Sequence, residues 1–209
     1  IVVNDGSTDR TPALAEELAA RYPEVRVLHH DRNYKLGRTL RTGLAAATKE
    51  LVFYTDADLP IDFREIMRGV ELLLRNGAQV VTGYRLTRSN ERWWRTLYTV
   101  VYNALVDVVF GLRLRDVNFS YKLFRAEALR ELNPTSEGSF IDVEMLARAR
   151  RAGMTINEIG VEYFPRRAGR STLARPGVIV KIIQEMAAFW WKVWRPGLRA
   201  ASPDRPEKP

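Results

Sequence analysis

The chain has 209 residues, 46% apolar and 28% charged, a balance that supports one buried core and excludes fibrous repeats or wholesale disorder. It has no cysteine, which excludes disulfides, thiolate zinc sites and cysteine nucleophiles. A formal net charge of +8 admits nucleic acid, a membrane surface or an anionic substrate as partner, so the placement of the charge must decide.

The opening IVVN is a short apolar strand running into the turn-rich DGSTD. Thr11 and Pro12 predict an N-cap and first helical residue, with Leu14, Leu18 and Tyr22 on one face and Pro23 as the stop. Val25 to Leu28 reads as a second strand. A helix opening at Gly37 carries Leu40, Leu44 and Ala47, and the buried-strand run LVFY at 51–54 ends in TDADLP. Asp62 and Glu65 have capping-box spacing before Ile66, Val70 and Leu73, and Asn76 and Gly77 should end that helix ahead of the strand QVVTG. Strands alternating with helices predict an α/β chain with a mostly parallel sheet.

Past Gly83 the pattern is looser. Trp94, Leu97, Tyr98, Val101, Leu105 and Val108 form a long helical stripe, NFSYKLF has partial strand alternation, a helix is expected around Asp142 to Ala152, and a strand from Thr155 to Tyr163. Residues 178–194 are amphipathic, with Trp190, Trp191, Trp194, Lys192 and Arg195 in the mixture found at a bilayer interface; a helix packed on the domain is the equal alternative. The expected division is an α/β domain over 1–176, an amphipathic helix over 177–194 and a disordered tail over 195–209. No run of 18 apolar residues occurs, so neither a membrane-spanning helix nor a secretory signal is expected.

Asp56 and Asp58 follow the LVFY strand, and ligands of open α/β sheets gather outside the carboxyl ends of strands. Two carboxylates on one tight turn suit Mg²⁺ or Mn²⁺, which keep positions for water and a diphosphate. Asp5, with Gly6 to permit the turn, is a candidate to bond a base or ribose. Arg85, Arg88, Arg92 and Arg95 form one basic cluster, and Arg166, Arg167, Arg170 and Arg175 another. Two compact clusters favour phosphate sites over a nucleic-acid track, and the aromatic residues lie on helical stripes instead of between the arginines, so no nucleic acid is expected.

Together VVNDGSTD and DADLP resemble the family 2 glycosyltransferases of the GT-A fold, a nucleotide-diphospho-sugar transferase, Rossmann-like arrangement. TGYR at 82–85, DVNFSYKLFR, SFIDVEML and RRAGRSTL at 166–173 are similar to the dolichol-phosphate mannose synthase and polyprenyl-phosphate glycosyltransferase branch. The resemblance implies that Asp5, Gly6 and Ser7 serve the nucleotide, that Asp56 and Asp58 bind the metal and donor diphosphate, and that Arg166 contacts phosphate at the reacting centre. Arg85, Arg95 and Thr99 would meet the acceptor phosphate, so the catalytic pair would be Asp58 and Arg166. It further implies an inverting, metal-dependent transfer of a hexose from GDP-mannose or UDP-glucose to a polyprenyl phosphate. The domain would then work on the cytoplasmic face of a membrane as a peripheral protein, with a membrane-anchor protein as possible partner.

The sequence departs from that branch at Pro60, where glutamine is common, at Asn4, where an acid is frequent, and at Thr172, where lysine is common. The branch begins with a further strand, so the chain is expected to be incomplete at its amino end. Two other readings stay open. One is a family 2 enzyme that extends a glycan with Asp142 or Glu144 as base, although capping and solvating a helix is the preferred role for those two acids. The other is a non-catalytic module that binds nucleotide or membrane. His29 and His30 show no partner pattern and read as loop residues near the donor.

Overall fold

A computed structural model describes residues 1–58, 60–87, 93–164 and 176–195, with the backbone alone at 93–95, 176, 178 and 179. The chain divides into two compact units, Ile1–Arg170 and Ser171–Pro209.

In the first unit, β1 (Val2–Asn4) leads through the DGSTD turn into α1 (Thr11–Arg21) and β2 (Val27–His29), which pairs parallel with β1. Thr11 is already helical, and its N–H is taken by the Asp9 carboxylate at 3.0 Å, so the acid two residues earlier does the capping expected of Thr11. The α1 stripe also differs from expectation. Leu14, Leu18 and Tyr22 are exposed and only Ala15 is buried, because a two-stranded sheet offers little apolar surface for a helix to cover.

Next come α2 (Lys35–Ala45), β3 (Leu51–Tyr54), α3 (Arg64–Arg75) and β4 (Val80–Arg85). Glu65 does not close a capping box. It pairs with Arg68, while Asp62 takes the N–H and guanidinium of Arg64. The long stripe becomes α4 (Trp93–Phe110), followed by β5 (Lys122–Arg125), α5 (Ala126–Leu132), α6 (Ile141–Arg151) and β6 (Ile156–Val161).

The larger sheet has the order β3-β5-β4-β6. The β4/β6 pair is parallel, as the alternation predicts, and β5 is inserted antiparallel to both β3 and β4. Side chains alternate across it. Phe53, Val81 and Leu123 lie on the face that packs with Ile66, Val70 and Leu73 of α3. Val52, Val80 and Phe124 lie on the opposite face, and so do Tyr54, Thr82 and Lys122, which share one register row.

β1 and β3 belong to separate sheets and are the walls of a cavity of about 660 Å³, floored by Leu36, Leu40 and Leu44 of α2 and reaching Thr55 and Asp56.

The second unit shows α7 (Pro176–Phe189) continuing into a π-helical turn at Trp190–Trp194, where the Arg195 guanidinium stacks 4.2 Å from the Trp191 ring. The expected amphipathic segment is thus helical, and the tail beyond 195 lies outside the described residues. No helix among the described residues is long and apolar enough to cross a membrane.

Candidate active site

The DGSTD turn is built on the loop that follows β2. Gly6 has φ +68, and a Cβ there would lie 2.5 Å from the Arg32 carbonyl carbon, so glycine is required by both conformation and space. Asp5 fixes that loop: its carboxylate accepts the N–H groups of Tyr34 and Lys35, each at 2.9 Å, and His30 Nδ1–H at 2.7 Å. Burial pushes its pKa up, but these bonds outweigh it and hold the carboxyl below the usual range. The side chain that the resemblance gives to the nucleotide is thus engaged in shaping the turn.

Both histidines have partners far along the chain that no local pattern announces. His30 Nε2 takes the Thr42 hydroxyl at 2.9 Å. His29 bonds Glu16 through Nε2 at 2.7 Å and the Asn4 amide through Nδ1 at 3.0 Å. Asn4 also accepts the N–H of Ser7, so its amide donates on one side and accepts on the other, which an aspartate cannot do. Ser7 itself is exposed.

Asp56 and Asp58 stand exposed on the turn after β3. Among the described residues no three His, Cys, Asp or Glu side chains cluster to hold an ion alone. The chain offers two oxygen donors, a set that fits a hard divalent ion completing its shell with water and diphosphate oxygens. Just past them, the Pro60 carbonyl accepts Phe164 N–H at 2.9 Å. Arg166 itself lies outside the described residues, as do Arg88, Arg92, Arg167, Arg170 and Arg175.

Beneath the turn lies a buried charge cluster. Lys122 is 0% exposed; its ammonium donates to the Phe119 carbonyl and lies 3.9 Å from Asp142 Oδ1. Asp142, 3% exposed at the start of α6, also accepts the Tyr54 hydroxyl. Burial pushes the Asp142 carboxyl up to about 6 against the pull of Lys122, and burial lowers the Lys122 ammonium against the pull of Asp142, Asp116, Asp56 and Glu158. Tyr54 is raised, first by burial and then by Asp142 and Asp56. One ammonium thus sits among the acids of four different segments.

Asp116, 1% exposed, accepts Arg85 Nε–H at 2.8 Å, and the same guanidinium lies 5.2 Å from the Tyr163 ring and 5.6 Å from the Phe119 ring. Arg85 is a rigidly held cation, not the solvated flank that a surface arginine would be. Thr99 lies in α4 one turn after Arg95, of which only the backbone is described. Glu144, 0% exposed, accepts the N–H groups of Thr135 and Ser136 and bonds Arg148. Burial raises its pKa, but those bonds carry it below the usual value. Asp142 and Glu144 are thus buried and bonded instead of solvated.

Lys122, Asp116 and Tyr54 were not read as site residues from the sequence. The available signal was a lysine inside the apolar run SYKLF, where a surface strand would have alternated.

Two aspartates at a strand's carboxyl end on an α/β sheet fit the class of GT-A folds. The model of Glycosyl transferase family 2 matches residues 1–133, and the chain belongs to that family. Glycosyltransferase AglD of Haloferax volcanii is 31% identical over 92% of this chain and 31% of its own length. The dolichyl-phosphate beta-glucosyltransferase ALG5D of Trichomonas vaginalis is 30% identical over 78% of this chain and 53% of its own. The chain thus spans 31% and 53% of the length of these two relatives. In fold it is similar to glucosyl-3-phosphoglycerate synthase of Mycobacterium tuberculosis, crystallised with Mn²⁺, UDP-glucose and phosphoglyceric acid, with a TM-score of 0.69 at 17% identity over 90% of this chain and 66% of that one.

Proposed function

We propose that this chain is the catalytic domain of an inverting, metal-dependent glycosyltransferase that moves glucose from UDP-glucose to a polyprenyl phosphate. The observation that carries the reading is the burial of Asp142 and Glu144. A sugar hydroxyl needs a base within hydrogen-bond reach, and both acids that the sequence offered for that task are committed to Tyr54, Lys122, Arg148 and the 135–136 backbone. A phosphate monoester is already anionic and needs no base. The acceptor named in ALG5D, dolichyl phosphate, and the UDP-glucose in the structural neighbour agree with this choice.

In this reading Asp56 and Asp58 hold the divalent ion, which when bound neutralises charge on the departing diphosphate. Asp5 and Gly6 shape the turn against which the nucleotide rests, and Arg85, fixed by Asp116, offers a guanidinium to the acceptor phosphate together with Arg95 and Thr99. Arg166 reaches the reacting phosphates. A phosphate oxygen attacks the anomeric carbon, the bond to the β-phosphate oxygen breaks, and the nucleoside diphosphate leaves with the electron pair, inverting the centre.

The test is a donor panel with farnesyl phosphate and Mg²⁺ or Mn²⁺. A lipid-phosphate-linked glucose should form, and Asp58→Ala should stop it. Turnover of oligosaccharide acceptors, abolished by Asp142→Asn, would instead establish the glycan-extending reaction.

A further inference from the structure

We infer that the groove between α2 and α5 binds a small organic phosphate, a phosphate monoester carried on an apolar body. The site goes beyond the glycosyl transfer proposed above and shares none of the residues assigned to it.

The two helices border a cavity of about 520 Å³, a volume on the scale of small-molecule sites. Helical spacing builds its walls. Arg38, Arg41, Thr42 and Ala45 recur at three and four residues along α2, and Ala126, Leu129, Arg130 and Asn133 do so along α5 and its C-cap. Val52 of β3, Ala126 and Leu129 are buried and form an apolar floor with Leu44. Glu127 and Glu131, the acids of α5, lie off the lining, which contains no Asp or Glu at all.

Charge sets this cavity apart. Arg64, Arg68, Arg75, Arg85 and Arg148 each pair with a carboxylate. Among the described residues no carboxylate pairs with Arg38, Arg41 or Arg130, so the lining gathers three cations whose charge is unspent. Arg38 rests over the Tyr34 ring at 4.1 Å, which steadies the guanidinium without neutralising it. Arg41 gives the sharper sign: its Nε is buried and finds no acceptor among the described residues. Folded chains rarely strand such a donor, and an anion in the cavity that Arg41 lines supplies what it lacks. Guanidinium forks suit a phosphate monoester, with three acceptor oxygens and about two charges, better than a singly charged carboxylate. The apolar floor takes the body of the ester, which an inorganic ion would leave uncovered.

The test is a titration of the isotopically labelled chain with phenyl phosphate, followed through its amide signals by NMR. Signals from residues 38–45 and 126–133 should move together. Arg41→Gln and Arg130→Gln should each weaken binding about tenfold, since each removes a charged partner of the phosphate. Neither should lower the thermal midpoint, because Arg130 is exposed and Arg41→Gln removes a stranded N–H. Should the Arg41 variant fail to fold, Arg130→Gln alone decides. Arg75→Gln on α3 should bind as wild type does. Inorganic phosphate should move the same signals with lower affinity, and benzyl alcohol should leave them in place. Benzyl alcohol binding as tightly as phenyl phosphate overturns the anion, and inorganic phosphate doing so overturns the apolar body. Unmoved signals in both segments, or undiminished affinity in the arginine variants, overturn the site. Phosphate held by Arg85 in the proposed transfer moves signals around 85 and 116 instead, so the failure of one site is distinguishable from the failure of the other.

Discussion

Replacing Lys122 with methionine keeps the length of the side chain and removes its charge from beneath the D-x-D turn. In the wild type the Asp142 carboxyl rises from 3.8 to about 6, chiefly by burial, and Lys122 restrains the rise. Between those values the unfolded carboxyl has released its proton and the folded one has not, so the stability contributed by this group is fullest below about pH 4 and declines as the pH climbs through about 6, by about 3 kcal/mol in all. Lys122→Met removes the restraint and extends the decline above neutral pH. Breaking a buried pair by deleting one partner costs about 3 kcal/mol or more, which for a chain of this size is about 10 °C in the thermal midpoint at pH 8. At pH 5, where Asp142 holds its proton, the gap between variant and wild type should close. The double variant Lys122→Met, Asp142→Asn should recover to within about 1 kcal/mol of wild type at every pH. Thermal denaturation from pH 5 to pH 8 reads all of this, and a loss that is independent of pH, or that the second substitution leaves uncorrected, would refute the coupling.

Gly69→Ala places a methyl 2.0 Å from the Tyr121 hydroxyl, which bonds the Glu65 carbonyl, so α3 must lift from the sheet. We expect a loss of about 2 kcal/mol in urea unfolding, and an unchanged midpoint would contradict the packing. Glu144→Gln keeps the shape but gives up the charged acceptor of the 135–136 N–H groups and of Arg148; about 2 kcal/mol should go, with faster proteolysis between 133 and 138. UDP binding followed by calorimetry should weaken at least tenfold when EDTA removes Mn²⁺, and Asp58→Ala should make the affinity indifferent to the metal. Binding that never responds to Mn²⁺ would favour the non-catalytic module.

The parts legible in the sequence were those that local chemistry decides. LVFY at 51–54 became β3 to the residue, because a buried apolar run closed by TDADLP leaves few alternatives. The Asn76 and Gly77 stop of α3 and the long stripe of α4 followed equally from periodicity and turn chemistry. What the sequence hid depends on partners far along the chain. The α1 stripe has the spacing of a buried face, yet nothing in residues 11–22 reveals that its sheet is too narrow to cover it. Likewise His30 meets Asp5 and Thr42, and Lys122 meets Asp142, only after strands from different parts of the chain assemble. The antiparallel insertion of β5 is of the same kind, a choice of direction made by the long excursion through α4. Of the candidate site, the turns after β1 and β3 were legible as turns, and the buried cation beneath them was not.

The gap between β1 and β3 runs along the cavity that reaches Asp56. Strand margins facing such a space present amide and carbonyl groups to whatever extended polypeptide comes by. Any segment that zipped into it would bridge two separate ribbons and raise a wall beside Asp56 in one act.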